Sequence, residues 1–124
     1  MLRWLVIGAF GFIGTIVRYG VQGGVQRLLG SGFPYGTLAV NVAGSFIVGF
    51  VATLTLERAI VSPLWRTAIL VGFCGGFTTF SALSYETFEL VRTGDPARGA
   101  LNLAVHAVLG LAAVWAGYGL AVKL

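Results

Sequence analysis

Four long apolar stretches, separated by short polar or turn-forming segments, account for almost the whole chain. A helix of about 20 apolar residues crosses a hydrocarbon core of roughly 30 Å. The pattern therefore predicts an all-α membrane protein, with one four-helix transmembrane domain over residues 1–124. Glycine, serine and proline mark the connections. The predicted helices are 2–21, 36–56, 66–91 and 99–122.

The composition agrees with a membrane location. Hydrophobic residues make up 57% of the chain and charged residues 10%, whereas soluble domains carry about 25% charged residues. So few charges cannot cover a water-exposed surface, and the expected surroundings are the lipid of the cell membrane, crossed several times. In so hydrophobic a chain a net charge of +4 indicates interfacial anchors, and no nucleic-acid partner is expected. Cys74 is the only cysteine, so no disulfide can form within the chain.

Glycine is unusually frequent, at 19 residues in 124. In membrane helices small residues let backbones approach closely, so we interpret most of these glycines as packing positions. None of them belongs to a phosphate-binding loop. The packing positions expected in helices 1, 2 and 4 are Gly8, Gly11, Gly14, Gly44, Gly49, Gly110 and Gly117.

Basic residues are divided almost evenly between the two sides of the predicted bundle. Four spans place both termini on one side, together with the connection between helices 2 and 3. That side holds Arg3, Arg58, Arg66 and Lys123, and the other holds Arg18, Arg27, Arg92 and Arg98. The counts are four and four, or four and three if Arg18 lies within the membrane. Because basic residues set orientation, this balance predicts dual topology and permits an antiparallel homodimer.

Helix 2 carries a polar stripe. Thr37, Asn41 and Ser45 are spaced four residues apart and share one helix face. Polar side chains at membrane depth are costly and are functional candidates. Two interpretations of Asn41 are open: an amide that hydrogen-bonds two helices together, or a pore-lining amide whose N–H groups replace the water of an anion.

Helix 3 contains a segment that disfavours a regular helix. Gly75 and Gly76 are followed, after Phe77, by the β-branched Thr78 and Thr79. A break here would free backbone carbonyls at mid-membrane, which is tolerated only where they bind something or are buried against protein. Inward-facing carbonyls suit a small hard cation such as sodium. A closely packed kink is the alternative. Hydroxyl donors follow on the next turns, at Thr78, Thr79, Ser81 and Ser84.

Other side chains are weaker candidates. Phe77 and Phe80 flank the polar run, and the positive edge of such a ring can approach a small anion, although most phenylalanines in membrane helices pack or face lipid. Glu86 is expected to pair with Arg18, which would neutralise both charges. Asn102 and His106 lie four apart on helix 4, where packing or hydrogen bonding is the usual role of a histidine.

Three blocks of sequence together resemble the Fluc (CrcB) fluoride channels, nearly over the whole chain. The first is Gly11-Phe12-Ile13-Gly14 with Arg18-Tyr19. The second is the eleven-residue block 36–46 around Asn41, and the third is the block 72–81, followed by Ser84 and Glu86. Their order on a four-span chain of this length makes the resemblance specific.

The resemblance implies an antiparallel dual-topology homodimer with two fluoride pathways, passive fluoride efflux rather than catalysis, and a structural sodium ion on the dimer axis. It assigns the sodium to the carbonyls of Gly75 and Thr78, and the pathways to Asn41, Phe80, Ser81 and Ser84. We add possible supporting roles for Arg18, Thr37, Ser45, Thr79, Glu86 and His106. The chain departs from the family pattern at Ala82 and Leu83, where a threonine and a second phenylalanine are usual.

Two rival functions are considered. A small proton-coupled exporter with dual topology would have a similar size and number of spans, but it needs a titratable carboxylate facing a mid-membrane cavity. Helix 1 has no acidic residue, and Glu86 lies near the end of helix 3. A purely structural subunit would leave the polar residues of helices 2 and 3 unexplained.

Overall fold

The computed structural model describes all residues, Met1–Leu124. Its elements are α1 (Leu2–Leu29), α2 (Tyr35–Leu56), α3 (Pro63–Thr67), a π-helical segment (Ala68–Phe73), α4 (Cys74–Phe77), α5 (Phe80–Arg92) and α6 (Pro96–Ala121). The segments from Pro63 to Arg92 form one interrupted span, so four helices are long and apolar enough to cross a membrane. The four-span, all-helical prediction is confirmed.

The first helix is longer than the sequence indicated. It was predicted to end at residue 21, where glutamines and glycines begin, but α1 continues to Leu29. Tertiary hydrogen bonds explain the extension. The Gln26 amide donates to the Phe33 carbonyl (2.9 Å) and accepts from the Gly36 N–H (3.1 Å), which ties the last turns of α1 to the start of α2.

The third span is interrupted at the threonines rather than at the glycines. Gly75 and Gly76 belong to α4, whereas Thr78 (φ −91°, ψ 161°) and Thr79 (φ −152°, ψ 107°) are extended. A Cβ atom at Gly76 would lie 2.4 Å from the Gly11 carbonyl oxygen of α1. Gly76 is thus required for close packing, while the β-branched threonines favour the extended backbone of the break. The prediction of a break in helix 3 is confirmed, and its position is at Thr78–Thr79.

Close backbone contacts hold α2 against α6. A Cβ atom at Gly49 would lie 2.3 Å from the Val114 carbonyl oxygen, and one at Gly117 would lie 2.3 Å from that of Phe46. Such contacts need small residues because any side chain would force the helices apart. The packing interpretation also holds for Gly14 and Gly44, whereas Gly8 has open space around it.

Much of the outer surface is apolar, and only 19 of the 124 residues are buried. Lipid tails are as apolar as leucine side chains, so membrane helices need not bury such side chains within the protein. The fully buried positions include polar ones, notably Thr37 and Asn102. Helix packing in this chain therefore encloses polar groups on α2 and α6, while most of the large apolar side chains face outward.

Candidate functional site

The break in the third span is held by Asn41 of α2. Its side-chain oxygen accepts a hydrogen bond from the Thr79 N–H at 2.7 Å, and its amide nitrogen donates to the Thr79 carbonyl at 3.1 Å. Both polar groups of one extended residue are therefore satisfied by one amide. A side-chain amide has two N–H groups, so one donor of Asn41 is not used in this pair. The Asn41 amide thus links α2 to the third span, and the pore-lining role of its second N–H stays a prediction.

Two carbonyls at the break lose their usual helical donors. In a continuous helix the Gly75 oxygen would bond the Thr79 N–H, and the Thr78 oxygen would bond the Ala82 N–H. Here the Thr79 N–H is donated to Asn41 and the Ala82 N–H to the Thr79 hydroxyl, at 3.1 Å. No turn, loop or cap hydrogen bond ends on either oxygen. Gly75 is exposed on the surface of the single chain.

A groove of about 480 Å³ lies beside the break, between α2, α5 and α6. Asn41, Thr78, Thr79, Phe80 and His106 all contribute to its lining. Phe80 is 80% exposed, so this residue is not part of the core of the single chain. Ser45 lines the groove as well, but its hydroxyl donates to the Asn41 carbonyl at 2.8 Å.

A second groove, of about 540 Å³, lies on the other side of the break against α1. Arg18 and Ser81 line it, and Thr79 lines both grooves. The structure therefore separates Asn41 and Phe80 from Ser81, which were expected along one path. Ser84 lines neither groove; its exposed hydroxyl donates to the Phe80 carbonyl of its own helix at 3.0 Å.

The expected pair between Glu86 and Arg18 is absent. Glu86 instead accepts a hydrogen bond from the Thr37 hydroxyl at 2.7 Å, and Thr37 accepts one from the Gln22 amide at 2.8 Å. The ion pairs of the chain are Arg92–Glu89 and Arg98–Asp95. Gln22 lies one helical turn after Arg18, in the part of α1 that extends beyond the predicted end of the helix. The Gln22 amide, rather than the Arg18 guanidinium, therefore lies next to Thr37 of α2. Thr37 thus belongs to a chain of polar contacts with Glu86 and does not act with Asn41.

The helix 4 candidates form a third polar region. The Asn102 amide donates to the Thr87 hydroxyl at 3.0 Å, and the Nδ1 atom of His106 lies 2.9 Å from the Asn102 carbonyl oxygen. Three buried atoms here have no hydrogen-bond partner: Glu86 Oε2, Asn102 Oδ1 and His106 Nε2. Glu86, Asn102 and His106 each make one hydrogen bond within the chain, and one further polar atom of each side chain has no partner.

Two polar residues of α1 were missed by the reasoning from sequence. Thr15 and Gln22 line the second groove, and Gln22 also reaches Thr37. They are seven residues apart, which is close to two helical turns, so they share one helix face. Two polar residues with this spacing, with Arg18 between them, could have indicated a polar face on helix 1.

Comparison with known proteins covers nearly all of the chain. The family model described as CrcB-like protein, Camphor Resistance (CrcB), matches residues 5–118. A protein of Geobacter sulfurreducens named "Fluoride-specific ion channel FluC" is 44% identical over 117 residues, which are 94% of this chain and 94% of that protein. One of the same name from a Sulfurihydrogenibium species is 45% identical over 121 residues, 98% of each chain.

The family match spans far more than half of the chain, and the relatives are similar over almost their full length. The four apolar helices make the chain a multi-pass membrane protein. The resemblance read from the motifs of helices 1 to 3 is confirmed, and the chain belongs to the CrcB family.

Proposed function

We propose that this chain is a fluoride channel that lets cytoplasmic fluoride leave the cell passively. The observation that carries the proposal is the near-complete match to relatives named as fluoride-specific ion channels. The chemistry of the grooves supports it. Fluoride is small and strongly hydrated, and amide and hydroxyl donors can replace its water while still allowing its release.

The working unit is a homodimer of antiparallel chains with two fluoride pathways. The single chain leaves the Gly75 backbone and the hydroxyls of Ser81 and Ser84 at its surface, in a span that crosses the membrane. Polar backbone groups are not tolerated against lipid tails, so this face needs a protein cover. A second copy with the opposite orientation provides one, in agreement with the even distribution of basic residues.

A structural sodium ion fits the carbonyls at the break. Each chain offers two oxygens, from Gly75 and Thr78, whose usual donors are bonded to other groups. Two chains related by a twofold axis would together offer the Gly75 and Thr78 oxygens of both copies. Oxygen ligands suit a hard cation such as sodium. When bound, the ion supplies positive charge at mid-membrane, which favours an anion nearby. The residues of the chain keep the carbonyls free: Asn41 binds the Thr79 N–H, and Thr79 binds the Ala82 N–H.

The pathway donors are Asn41, Ser81 and Ser84, with Phe80 between them in sequence. Asn41 retains one unused N–H, and serine hydroxyls rotate, so Ser84 can exchange its contact with the Phe80 carbonyl for an anion. The exposed ring of Phe80 presents its positive edge. Asn41 and Ser81 lie in different grooves of one chain, so a continuous path draws on both chains of the dimer. Arg18, Thr37, Ser45, Thr79, Glu86 and His106 support the lining.

Fluoride efflux from liposomes tests the proposal. Purified protein is reconstituted in vesicles loaded with potassium fluoride, and release is followed with a fluoride electrode after valinomycin is added. Rapid release without a proton gradient, together with retention of chloride in matched vesicles, is expected. Fluoride movement that requires a proton gradient would instead favour the proton-coupled exporter, and the absence of movement under both conditions would contradict the channel.

A further inference from the structure

The two ends of the helix bundle differ in how their charges are paired. At one end, Arg92 and Arg98 bind carboxylates of their own chain, those of Glu89 and Asp95. The other end holds both termini and is called the terminal end here. It has four basic residues and one acidic residue, whereas the opposite end has four and three. None of the basic side chains at the terminal end forms an ion pair: Arg3, Arg58, Arg66 and Lys123.

Arg3 is held in place at the terminal end without its charge being neutralised. Its Nη2 atom donates to the Thr67 hydroxyl at 3.3 Å, and that hydroxyl donates in turn to the Pro63 carbonyl at 2.9 Å. An uncharged hydroxyl thus fixes the guanidinium group against the beginning of the third span. This contact leaves most of the N–H donors of the guanidinium unused. A second cation, Arg66, directly precedes Thr67 in the chain.

Two tryptophans flank these arginines in the chain. Trp4 follows Arg3 and is 78% exposed, and Trp65 precedes Arg66 and is 50% exposed. The ring of Trp65 packs on that of Phe10, with 5.8 Å between the ring centres. Indole rings favour the headgroup region of a bilayer. The tryptophans therefore place the two arginines at the depth of the lipid phosphates.

We propose that the corner formed by Arg3, Arg66 and Thr67, with Trp4 and Trp65 beside it, binds the headgroup of an anionic phospholipid. The unused N–H donors of a guanidinium match the oxygens of a phosphate in a planar fork. An anionic lipid is favoured over a zwitterionic one because the positive charge of the terminal end is unpaired. Such binding requires only the membrane location of the chain and is independent of fluoride conduction.

A second copy of the chain fits this corner less well than a lipid does. An antiparallel copy would bring its opposite end close to the corner. The carboxylates of that end are already bonded: Glu86 accepts from Thr37, and Glu89 and Asp95 pair with arginines of their own chain. A parallel copy would bring four like charges together with Glu57. Neither arrangement offers the arginines a net negative partner, whereas a lipid phosphate does.

Native mass spectrometry of the purified protein tests the corner. The protein is mixed in detergent with equal amounts of phosphatidylglycerol and phosphatidylcholine that carry the same acyl chains. The parent should retain phosphatidylglycerol preferentially. Arg3→Gln should weaken this retention about fivefold, which is the usual contribution of one basic residue near an anionic membrane surface. Equal retention of the two lipids by the parent would overturn the proposal.

Arg92→Gln is the matched control, because it removes the same charge from an arginine that is paired with Glu89. It should retain phosphatidylglycerol like the parent. Equal losses in Arg3→Gln and Arg92→Gln would mean that only the net charge of the protein attracts the lipid, and the corner would not be a site. Thr67→Val keeps the shape of the side chain but removes the hydroxyl that holds Arg3, so it should also weaken retention.

Thermal unfolding distinguishes a lipid from a free anion or a second copy. The unfolding temperature of the parent in phosphatidylcholine nanodiscs should rise when phosphatidylglycerol is included, and this rise should shrink in Arg3→Gln. Inorganic phosphate at equal ionic strength should produce no rise. An equal rise with inorganic phosphate would reveal a free-anion site and contradict the lipid. Loss of the dimer in Arg3→Gln during size-exclusion chromatography would identify a second copy as the occupant and contradict it as well.

Discussion

Asn41 and Thr79 exchange two hydrogen bonds, one in each direction, across the interface between α2 and the interrupted third span. This pair satisfies the backbone of an extended residue inside the membrane, where an unpaired N–H or carbonyl is strongly unfavourable. It also occupies the N–H group that would otherwise bond the Gly75 carbonyl. Asn41 therefore holds the break and, by the same contact, leaves the Gly75 carbonyl oxygen without its helical donor.

The first prediction concerns Asn41→Asp. Aspartate can accept from the Thr79 N–H but, when ionised, cannot donate to the Thr79 carbonyl or to an anion. We expect fluoride efflux to fall by at least roughly tenfold and the free energy of unfolding to fall by about 1–3 kcal/mol. Liposome efflux and thermal unfolding in detergent measure the two effects. Thr55→Ala, which removes a hydroxyl bonded to the Val51 carbonyl within α2 and away from the grooves, is the control and should conduct like the parent. Parent-like efflux from Asn41→Asp would make this amide purely structural.

The second prediction concerns Phe80, a residue that is 80% exposed in the single chain. Phe80→Ile keeps an apolar side chain but removes the positive ring edge, so fluoride efflux should fall while the dimer elutes as before. Leu83→Phe alters another lining residue of the same groove and should conduct, since it restores the aromatic residue usual in the family. Equal efflux from Phe80→Ile and the parent would exclude a contact between this ring and fluoride.

The third prediction separates two adjacent glycines. A Cβ atom at Gly76 would lie 2.4 Å from the Gly11 carbonyl oxygen, whereas one at Gly75 meets nothing within 4 Å in its own chain. Gly76→Ala should therefore lower the unfolding temperature by forcing α1 away from α4. Gly75→Ala should leave the fold of the chain intact but weaken the dimer and sodium binding. Circular dichroism melting measures the first effect and size-exclusion chromatography the second. A Gly75→Ala variant that elutes as the parent dimer would mean that Gly75 is not at the dimer interface.

The fourth prediction concerns sodium. A ligand that binds only the native state stabilises it, by about 2.7 kcal/mol at a concentration 100 times its dissociation constant. Dimeric protein should therefore unfold at a higher temperature in sodium chloride than in N-methylglucamine chloride at equal ionic strength. The shift should shrink in Gly75→Ala. An identical melting temperature in both salts, under conditions where bound sodium has been removed by dialysis, would count against the site.

The fifth prediction concerns orientation. Cys74 is buried and is the only cysteine, so a Cys74→Ser background with one cysteine added after Leu124 reports the position of the C-terminus. An impermeant maleimide applied to intact cells should label about half of the chains, and disruption of the membrane should expose the rest. Labelling of nearly all chains, or of none, before disruption would exclude dual topology.

The amino-acid sequence by itself determined the four membrane spans, the break in the third of them and membership of the family. These follow from hydrophobicity along the chain, from the low helix propensity of the segment around Thr78 and Thr79, and from three motifs in order. Each of these signals is local, so it can be read without knowing how the helices are rotated against one another.

Only the tertiary structure decided which polar groups meet. Glu86 bonds Thr37 rather than Arg18, Asn41 bonds Thr79, and Ser81 lies in a different groove from Asn41. Such pairings depend on the length and rotation of each helix, and one extra turn of α1 is enough to bring Gln22 rather than Arg18 to Thr37. The positions that set these rotations are glycines in close backbone contact, such as Gly49 and Gly117. The role of each glycine depends on the residue it contacts on another helix, and a local sequence pattern does not identify that residue.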